Sequence, residues 1–392
     1  MDTTLERDAS AATEPRHRLA RWHAELSETA AEARPSDARL AAATLARTHV
    51  ALLSLVPALR EGTHLGPLKP MAAWIRAALI DTSVDSLHHL ADGDGTHPAQ
   101  RTYQRMAEAQ ARCAAEVSTA LRDQGIVPLL FKGVELRPRA FGGRAISSST
   151  DVDLLVRPAD IERARGILQG LGFVHARYDP AAGRLVEVPR EKTEAHEKTH
   201  RELYPLCRLA PVHLEPDEIE FVRAFSPTPL FVHDGQGLLM EVIDLHRGLF
   251  VRMEVDSLFE RAVPSLHAGA VTLSLTDHVW TTALRFYLES STVHNDPKQR
   301  DLAYLAALLS LPGIDWPALV KLVSAADLRP ALFYSLRLLS RLQIAAVPAW
   351  VLDELHVRRG SHYMDFGCRA TRMLGLVEGL PPEIDPLVRQ WP

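Results

Sequence analysis

Two short apolar runs constrain the fold of this chain most strongly, because they interrupt a pattern that is otherwise helical. Residues 126–131 read Ile-Val-Pro-Leu-Leu-Phe, and residues 151–156 read Asp-Val-Asp-Leu-Leu-Val. Short apolar runs that are bounded by glycine or proline are typical of buried strands. Residues 238–246 are a third strand candidate. Strands of this kind need helices to cover them, so the pattern predicts an α+β fold with a small α/β core.

Helical spacing dominates the sequence on both sides of these runs. Apolar residues recur near a 3.6-residue period from about residue 16 to residue 122, and again from about residue 276. Residues 98–124 read as one long helix that ends at Gly125. We therefore predict four segments: a disordered tail (residues 1–15), an N-terminal helical region (16–124), the α/β core (125–275) and a C-terminal helical region (276–392).

The composition is that of a soluble globular protein. Hydrophobic residues make up 46% of the chain and charged residues 24%, which excludes wholesale disorder, a collagen-like fibre and a disulfide scaffold. The net charge of -5 argues against a long nucleic acid as a partner. The three cysteines form no Cys-x-x-Cys pair, as expected in a reducing compartment.

The sequence also gives an expectation about localisation. Its first residues include acidic side chains and have no apolar segment of the kind found in signal peptides. The most apolar stretch, residues 49–59, is about half the length needed to cross a bilayer. We therefore expect a cytoplasmic protein that has no membrane partner.

The acidic residues of the second apolar run predict a metal site. Side chains alternate along a strand, so Asp151 and Asp153 share one face. Two carboxylates this close repel each other, and a divalent cation such as Mg²⁺ relieves the repulsion. Gly133, after the preceding strand, would let backbone N–H groups approach a phosphate, and Lys132 would add a positive charge. The sequence thus predicts a site for a cation together with a phosphate.

These motifs resemble the nucleotidyltransferase superfamily typified by DNA polymerase β, in which a strand ending in glycine precedes a strand bearing Asp, an apolar residue and Asp. The chain is more closely similar to a family of uncharacterised bacterial nucleotidyltransferases. The motifs that carry this resemblance are Leu-Phe-Lys-Gly (130–133), the run 151–156, Leu-Gly-Phe (171–173) and Asp-Leu-His (244–246). The resemblance implies a polymerase β-like core, with a short mixed sheet and helices, between two helical regions.

The resemblance also implies an activity. A nucleotidyltransferase moves a nucleoside monophosphate from an NTP such as ATP to an acceptor hydroxyl and releases pyrophosphate. The implied cofactor is Mg²⁺, as two ions, with Mn²⁺ as the alternative. The implied metal ligands, which are also the catalytic residues, are Asp151, Asp153 and Asp244. The candidate nucleotide contacts are Lys132, Gly133, Ser149 and Thr150. A small-molecule acceptor is favoured over a protein or an RNA.

The third carboxylate of the site is a choice between two residues. Strand alternation places Asp244 and His246 on one face and Glu241 on the other. Asp244 precedes Leu-His, as in the family that the chain resembles, and is therefore preferred. His246 has three interpretations: a packed strand residue, a neighbour of the metal or a contact of the acceptor.

Two other functions remain open. One is a catalytically silent nucleotide-binding or scaffold protein with the same fold. The other is a zinc metallohydrolase, because His196, Glu197 and His200 match His-Glu-x-x-His. Charged residues surround this motif, whereas the helices of zinc proteases are apolar around it. The zinc hydrolase is therefore the least favoured of the three.

Overall fold

The structure is a computed structural model that describes residues 19–34, 36, 38–63, 65–81, 83–92, 96–147, 149–249, 253–291 and 299–356. The predicted tail over residues 1–15 and the part of the predicted C-terminal region beyond residue 356 lie outside the described residues. The chain divides into two compact units. We call residues 96–278 the core unit, and the residues before and after it the helical unit.

The described residues before the core unit form four helices of the helical unit. These are α1 (residues 19–30), α2 (Ala38–Arg60), α3 (Ala73–Asp81) and α4 (Asp85–Asp92). The middle of α2 is buried, with Val50, Leu53 and Val56 at most 1% exposed. These residues lie three positions apart, which is the spacing that places side chains on one face of a helix.

The core unit contains most of the sheet-forming sequence. Its elements are α5 (Pro98–Asp123), β1 (Leu129–Phe131), α6 (Gly133–Phe141), β2 (Val152–Leu155), a 3₁₀ turn (Pro158–Asp160), α7 (Ile161–Gly170), β3 (Val174–Asp179), β4 (Arg184–Glu187), α8 (Arg190–Thr199), β5 (Leu206–Val212), α9 (Pro216–Phe225), β6 (Leu230–His233), β7 (Gln236–His246), α10 (Val255–Glu260), β8 (Val263–Pro264) and β9 (Val271–Thr272).

The second part of the helical unit follows the core unit. Its helices are α11 (Leu275–Ser291), which begins in the core unit, α12 (Gln299–Leu309), α13 (Trp316–Ala325), α14 (Arg329–Arg341) and α15 (Ala349–Leu355). Helix α12 is buried along its whole length and packs against α2. Helix α14 packs against α12, α13 and α15.

The nine described strands form one mixed sheet. Eight of them lie in the order β4-β3-β5-β7-β2-β1-β9-β8, and β6 pairs with β7. Strand β2 lies between β1 and β7, antiparallel to β1 and parallel to β7. The structure therefore confirms the predicted mixed α+β fold with flanking helices, although the sheet is larger than the short one that the resemblance implies.

Helices α5 and α7 cover one part of this sheet. Cys113, Val117 and Leu121 of α5 belong to the same buried cluster as Leu130 of β1 and Val152 of β2. Burying an apolar side chain of this size stabilises a fold by roughly 1.5–3 kcal/mol. This packing fixes the central strands, and it places α5, which the sequence assigned to the N-terminal helical region, in the core unit.

The elements nearest the predicted site lie where the sequence places them. The predicted helix over residues 98–124 is α5, and Gly125 follows it with the positive φ of 78° that glycine adopts easily. The predicted strands correspond to β1, β2 and β7. Among the residues that the structure describes, no helix combines the length and the apolar character needed to span a membrane.

Candidate metal and nucleotide site

The register of the central strands brings two predicted carboxylates together. Asp153 of β2 is the direct partner of Asp244 of β7 across a parallel pair. On its other side, Asp153 is the partner of Phe131, the last residue of β1. Side chains of paired neighbours point to the same face of a sheet. The carboxylates of Asp153 and Asp244 therefore lie side by side, although 91 positions separate them in the sequence.

His246 joins these carboxylates from the same strand as Asp244. It lies two residues further along β7, so its side chain points to the same face. Its Nε2 atom is 3.0 Å from Oδ1 of Asp153, and the two side chains are only 3% and 1% exposed. One potential ligand atom from each of Asp153, Asp244 and His246 lies within 4.8 Å of the others, and these residues are the one such group in the described part of the chain.

The electrostatics of this group fit a divalent cation. Burial raises the pKa of the Asp244 carboxyl well above its usual range, and the nearby charges of Asp151 and Asp153 raise it further. The Lys132 ammonium group opposes this shift without cancelling it. A bound divalent cation would relieve the same repulsion. Two carboxylates and an imidazole are ligands that Mg²⁺ or Mn²⁺ can use, and Mn²⁺ accepts the imidazole nitrogen more readily.

Lys132 lies at the turn between β1 and α6 and points at the acidic group. Its Nζ atom is 2.5 Å from Oδ1 of Asp153. The residue occupies the N-cap position of α6 with φ at 58°, a left-handed conformation that costs a non-glycine residue roughly 1–3 kcal/mol. The lysine thus occupies a strained position from which it contacts the buried carboxylate.

Gly133 begins α6 and is closely covered by Ser149. A Cβ atom added to Gly133 would lie 2.8 Å from Oγ of Ser149, closer than such atoms approach in real structures. Gln110 of α5 holds the Ser149 segment through a hydrogen bond of 2.8 Å from its Nε2 atom to the Ser149 carbonyl oxygen. Glycine is therefore needed to bring the Ser149 hydroxyl over the first turn of the helix, where backbone N–H groups have no intrahelical acceptor.

The remaining predicted residues lie at the edge of this arrangement. Asp151 directly precedes β2 and is partly buried, close enough to Asp244 to affect its pKa. It does not belong to the Asp153–Asp244–His246 group. Thr150 is exposed. Glu241 is 7% exposed and forms an ion pair with Arg208, 2.8 Å away.

Glu202 is a residue of this region that the sequence did not single out. Its Oε2 atom is 3.3 Å from Nδ1 of His246. It follows a charged stretch with no strand pattern, and it comes close to His246 only through a pairing across 44 residues. The alternation along β7 indicates that His246 shares a face with Asp244. No sequence pattern of this kind indicates that Glu202 lies near the site.

The His-Glu-x-x-His motif has a different geometry from a zinc-protease helix. Helix α8 ends at Thr199, so His200 lies beyond it, in an extended conformation. The rings of His196 and His200 stack at 3.9 Å with an angle of 4° between them. Glu197 is paired with Arg165 at 2.7 Å. The glutamate is thus engaged in an ion pair, and the two histidines do not lie along one helix face as the motif requires.

The site combines paired carboxylates on two central strands with a turn that holds a lysine and a glycine. This combination defines the class of protein that the sequence motifs indicate. The chain belongs to a family described as uncharacterised nucleotidyltransferases, whose model matches residues 97–343. No curated protein and no solved structure matches the chain. The family membership confirms the resemblance that the motifs indicate.

Proposed function

We propose that this protein is a metal-dependent enzyme that transfers a nucleoside monophosphate from an NTP to a hydroxyl acceptor. The acceptor oxygen forms a bond to the α-phosphorus, the bond from that phosphorus to the α–β bridging oxygen breaks, and pyrophosphate leaves. One observation carries the proposal: Asp153 and Asp244 are direct partners across β2 and β7, beside the turn that holds Lys132. This combination supports a cation and a triphosphate in the same site.

The acidic group would hold the metal. Asp153, Asp244 and His246 offer ligand atoms close together, and Asp151 adds negative charge at the edge. A bound cation would neutralise the negative charge that develops on the triphosphate during transfer. A second ion would draw on Asp151, which the sequence also assigns to the metal.

The turn after β1 would hold the phosphates. The first N–H groups of α6 favour an anion, as helix N-termini do in general. Lys132 would exchange its contact with Asp153 for a phosphate oxygen once the cation neutralises that carboxylate. The hydroxyl of Ser149, which lies over Gly133, would donate to a phosphate. Thr150 is the fourth candidate contact with the nucleotide.

Asp244 is the proposed general base. A bound cation would favour the ionised form of its carboxyl group, and this carboxylate could then accept the proton of the attacking hydroxyl. Because Asp153 and Asp244 are paired across two strands, the sheet would hold the metal and the proposed base at fixed positions relative to the substrate. Removal of a general base typically slows a reaction by a factor of 10² to 10⁴.

The chemical class of the acceptor is inferred from the net charge of the chain. The net charge of -5 favours a small molecule over a long nucleic acid. A small-molecule acceptor, with a protein or RNA hydroxyl as the alternative, is therefore our proposal, and so is a cytoplasmic location. A catalytically silent nucleotide-binding protein is the competing function, and release of pyrophosphate distinguishes the two.

The test begins with binding. The melting temperature of the protein is measured with ATP, GTP, CTP and UTP, each with and without Mg²⁺, for the wild type and for the Asp151→Ala, Asp153→Ala double variant. We expect stabilisation by one or more nucleotides that requires Mg²⁺ and is lost in the variant. The stabilising nucleotide is then assayed for pyrophosphate release with hydroxyl compounds. A nucleotide effect that is independent of Mg²⁺ and equal in the variant would contradict the proposal.

A further inference from the structure

Glu202 is fixed opposite His246 by the backbone. The two residues form an antiparallel bridge. On one side of it, the N–H group of Leu203 donates to the carbonyl of Leu245 at 2.9 Å; on the other, the N–H group of Arg247 donates to the carbonyl of Arg201 at 2.9 Å. Residues directly opposed in this way have their side chains on the same face and close together. Glu202 therefore faces the side of the sheet that carries Asp153 and Asp244.

The His246 ring lies between Glu202 and the acidic group. Its Nδ1 atom is 3.3 Å from Glu202, and its Nε2 atom is 3.0 Å from Asp153. Glu202 is partly exposed, at 25%, whereas His246 is almost fully buried, at 3%. The rings of Phe131 and His246 pack edge to face, with 5.1 Å between their centroids. The ring is thus held from two sides, with one nitrogen directed at each carboxylate.

We propose that Glu202 is a positioning residue that acts through His246; this inference rests on the proposed function and deepens it. With a cation bound, Glu202 would accept a hydrogen bond from Nδ1–H, so that Nε2, which contacts Asp153 in the metal-free protein, could offer its lone pair to the cation. A carboxylate behind a metal-binding histidine fixes both the tautomer and the ring orientation. His246 thereby becomes the nitrogen ligand beside the oxygen ligands Asp153 and Asp244.

This arrangement makes the metal preference depend on Glu202. An imidazole nitrogen suits Mn²⁺ better than Mg²⁺, which prefers oxygen ligands. A site with a correctly held His246 therefore discriminates between the two cations more strongly than a site with carboxylates alone. Loss of Glu202 should reduce the ratio of Mn²⁺ affinity to Mg²⁺ affinity, which a loss of general stability would not do.

The test measures metal binding to the full-length protein without nucleotide. Free Mn²⁺ is followed by electron paramagnetic resonance, and Mg²⁺ affinity is obtained by competition. The variants are Glu202→Ala, His246→Ala and the double variant. We expect each single variant to bind Mn²⁺ about tenfold more weakly, with a reduced preference over Mg²⁺. The double variant should bind no more weakly than His246→Ala, because Glu202 acts through that ring.

Two further variants accompany these measurements, one as a control and one as a replacement. Glu194→Ala removes an exposed carboxylate that pairs with Arg190 on α8, and it should bind Mn²⁺ as the wild type does. Glu202→Met keeps most of the length of the side chain and removes both its charge and its acceptor oxygens, so it replaces the alanine variant if that variant fails to fold. It should bind Mn²⁺ more weakly than the wild type and with a reduced preference over Mg²⁺.

The outcomes separate this inference from the proposed function. If the wild type binds Mn²⁺ and the Glu202 variants bind it equally well, the inference is wrong and the metal site stands. If the effect of Glu202→Ala persists undiminished in the His246→Ala background, Glu202 acts by its charge alone, and the inference is again wrong. If the wild type binds no Mn²⁺, the metal site of the proposed function fails, and the role of Glu202 fails with it.

Discussion

The ammonium group of Lys132 lies 2.5 Å from the carboxylate of Asp153, beside the acidic group of the core unit. Asp153 is 1% exposed on its side chain and Lys132 is 21% exposed. A buried carboxylate in this position requires a nearby positive charge. We interpret the lysine as the charge that stabilises Asp153 in the metal-free protein, with which a bound divalent cation must compete.

Removal of this lysine should therefore have opposite effects with and without metal. Lys132→Met removes the ammonium group that contacts Asp153 and leaves this carboxylate beside Asp244. We expect the free energy of unfolding in EDTA to fall by about 3 kcal/mol, the lower end of the range for breaking a buried ion pair. Added Mg²⁺ or Mn²⁺ should stabilise the variant more than the wild type, because the cation meets no competing charge. Thermal melting with and without metal measures both effects.

Lys192→Met is the matched control, because Lys192 is exposed on α8. It should change neither the stability in EDTA nor the response to metal. A Lys132→Met protein whose response to metal equals that of the wild type would contradict the competition between the lysine and the cation.

Asp244→Asn should separate stability from activity. Burial and nearby carboxylates raise the pKa of Asp244, so in the metal-free protein the folded state holds a proton that the unfolded state releases at neutral pH. Stability from this group therefore falls as pH rises above the unfolded pKa, and an amide removes the effect. In EDTA at pH 8 the variant should melt above the wild type, by a margin that shrinks toward pH 4.

The same variant should lose at least about 99% of its pyrophosphate release, since the proposed base is gone. The nucleotide should still bind in the presence of Mg²⁺. Asp234→Asn, at a side chain that is 91% exposed, is the control and should behave as the wild type in both assays. Wild-type turnover by Asp244→Asn would remove this residue from the mechanism.

Gly133→Ala tests the contact with Ser149. The new methyl group would lie 2.8 Å from the Ser149 hydroxyl but 3.7 Å from its Cβ atom, an ordinary contact. Ser149→Ala removes the hydroxyl that is proposed to donate to a charged phosphate, and the methyl group of Gly133→Ala displaces the same hydroxyl. We therefore expect each variant to bind NTP about tenfold more weakly or worse. The double variant should bind no more weakly than Ser149→Ala. Isothermal titration measures the four affinities, and fully additive losses would show that the two residues act independently.

Because His278 is buried, we predict that the folded protein loses stability in mild acid. Burial lowers its pKa to about 3, and the charge of Arg139 contributes. The unfolded chain takes up a proton near pH 6.5, whereas the folded chain does not, so lowering the pH from 7 to 5 favours unfolding by about 2 kcal/mol at this residue. His278→Gln should reduce the difference in stability between pH 7 and pH 5. An equal pH dependence in both proteins would show that His278 is protonated in the folded state at pH 5.

The sequence predicts the parts of the site that depend on local pattern. Alternation along a strand placed Asp151 and Asp153 on one face, and likewise Asp244 and His246, and the strand runs themselves were recognisable from their apolar residues. The direct pairing of Asp153 with Asp244 was not readable, because register between distant strands depends on the packing of the whole sheet. For the same reason the approach of Glu202 to His246, and of Ser149 to Gly133, required the structure.

Several elements of the core unit carry too weak a local signal to be predicted. Strand β3 lacks a buried run and is exposed or partly buried at most positions, and α8 is a short helix of charged residues. Such segments are stabilised mainly by their neighbours. The sequence pattern predicts the strands β1, β2 and β7, and it gives no boundaries for β3 to β6 or for α8.

The most direct test of the account is a crystal structure with Mn²⁺ and a non-hydrolysable NTP analogue, in which anomalous scattering locates the metal. We predict a Mn²⁺ peak within ligand distance of Asp153, Asp244 and His246, with the triphosphate against the first turn of α6 and Lys132 turned from Asp153 to a phosphate oxygen. A nucleotide bound at another surface, with Lys132 still paired to Asp153 and no metal between the carboxylates, would contradict it.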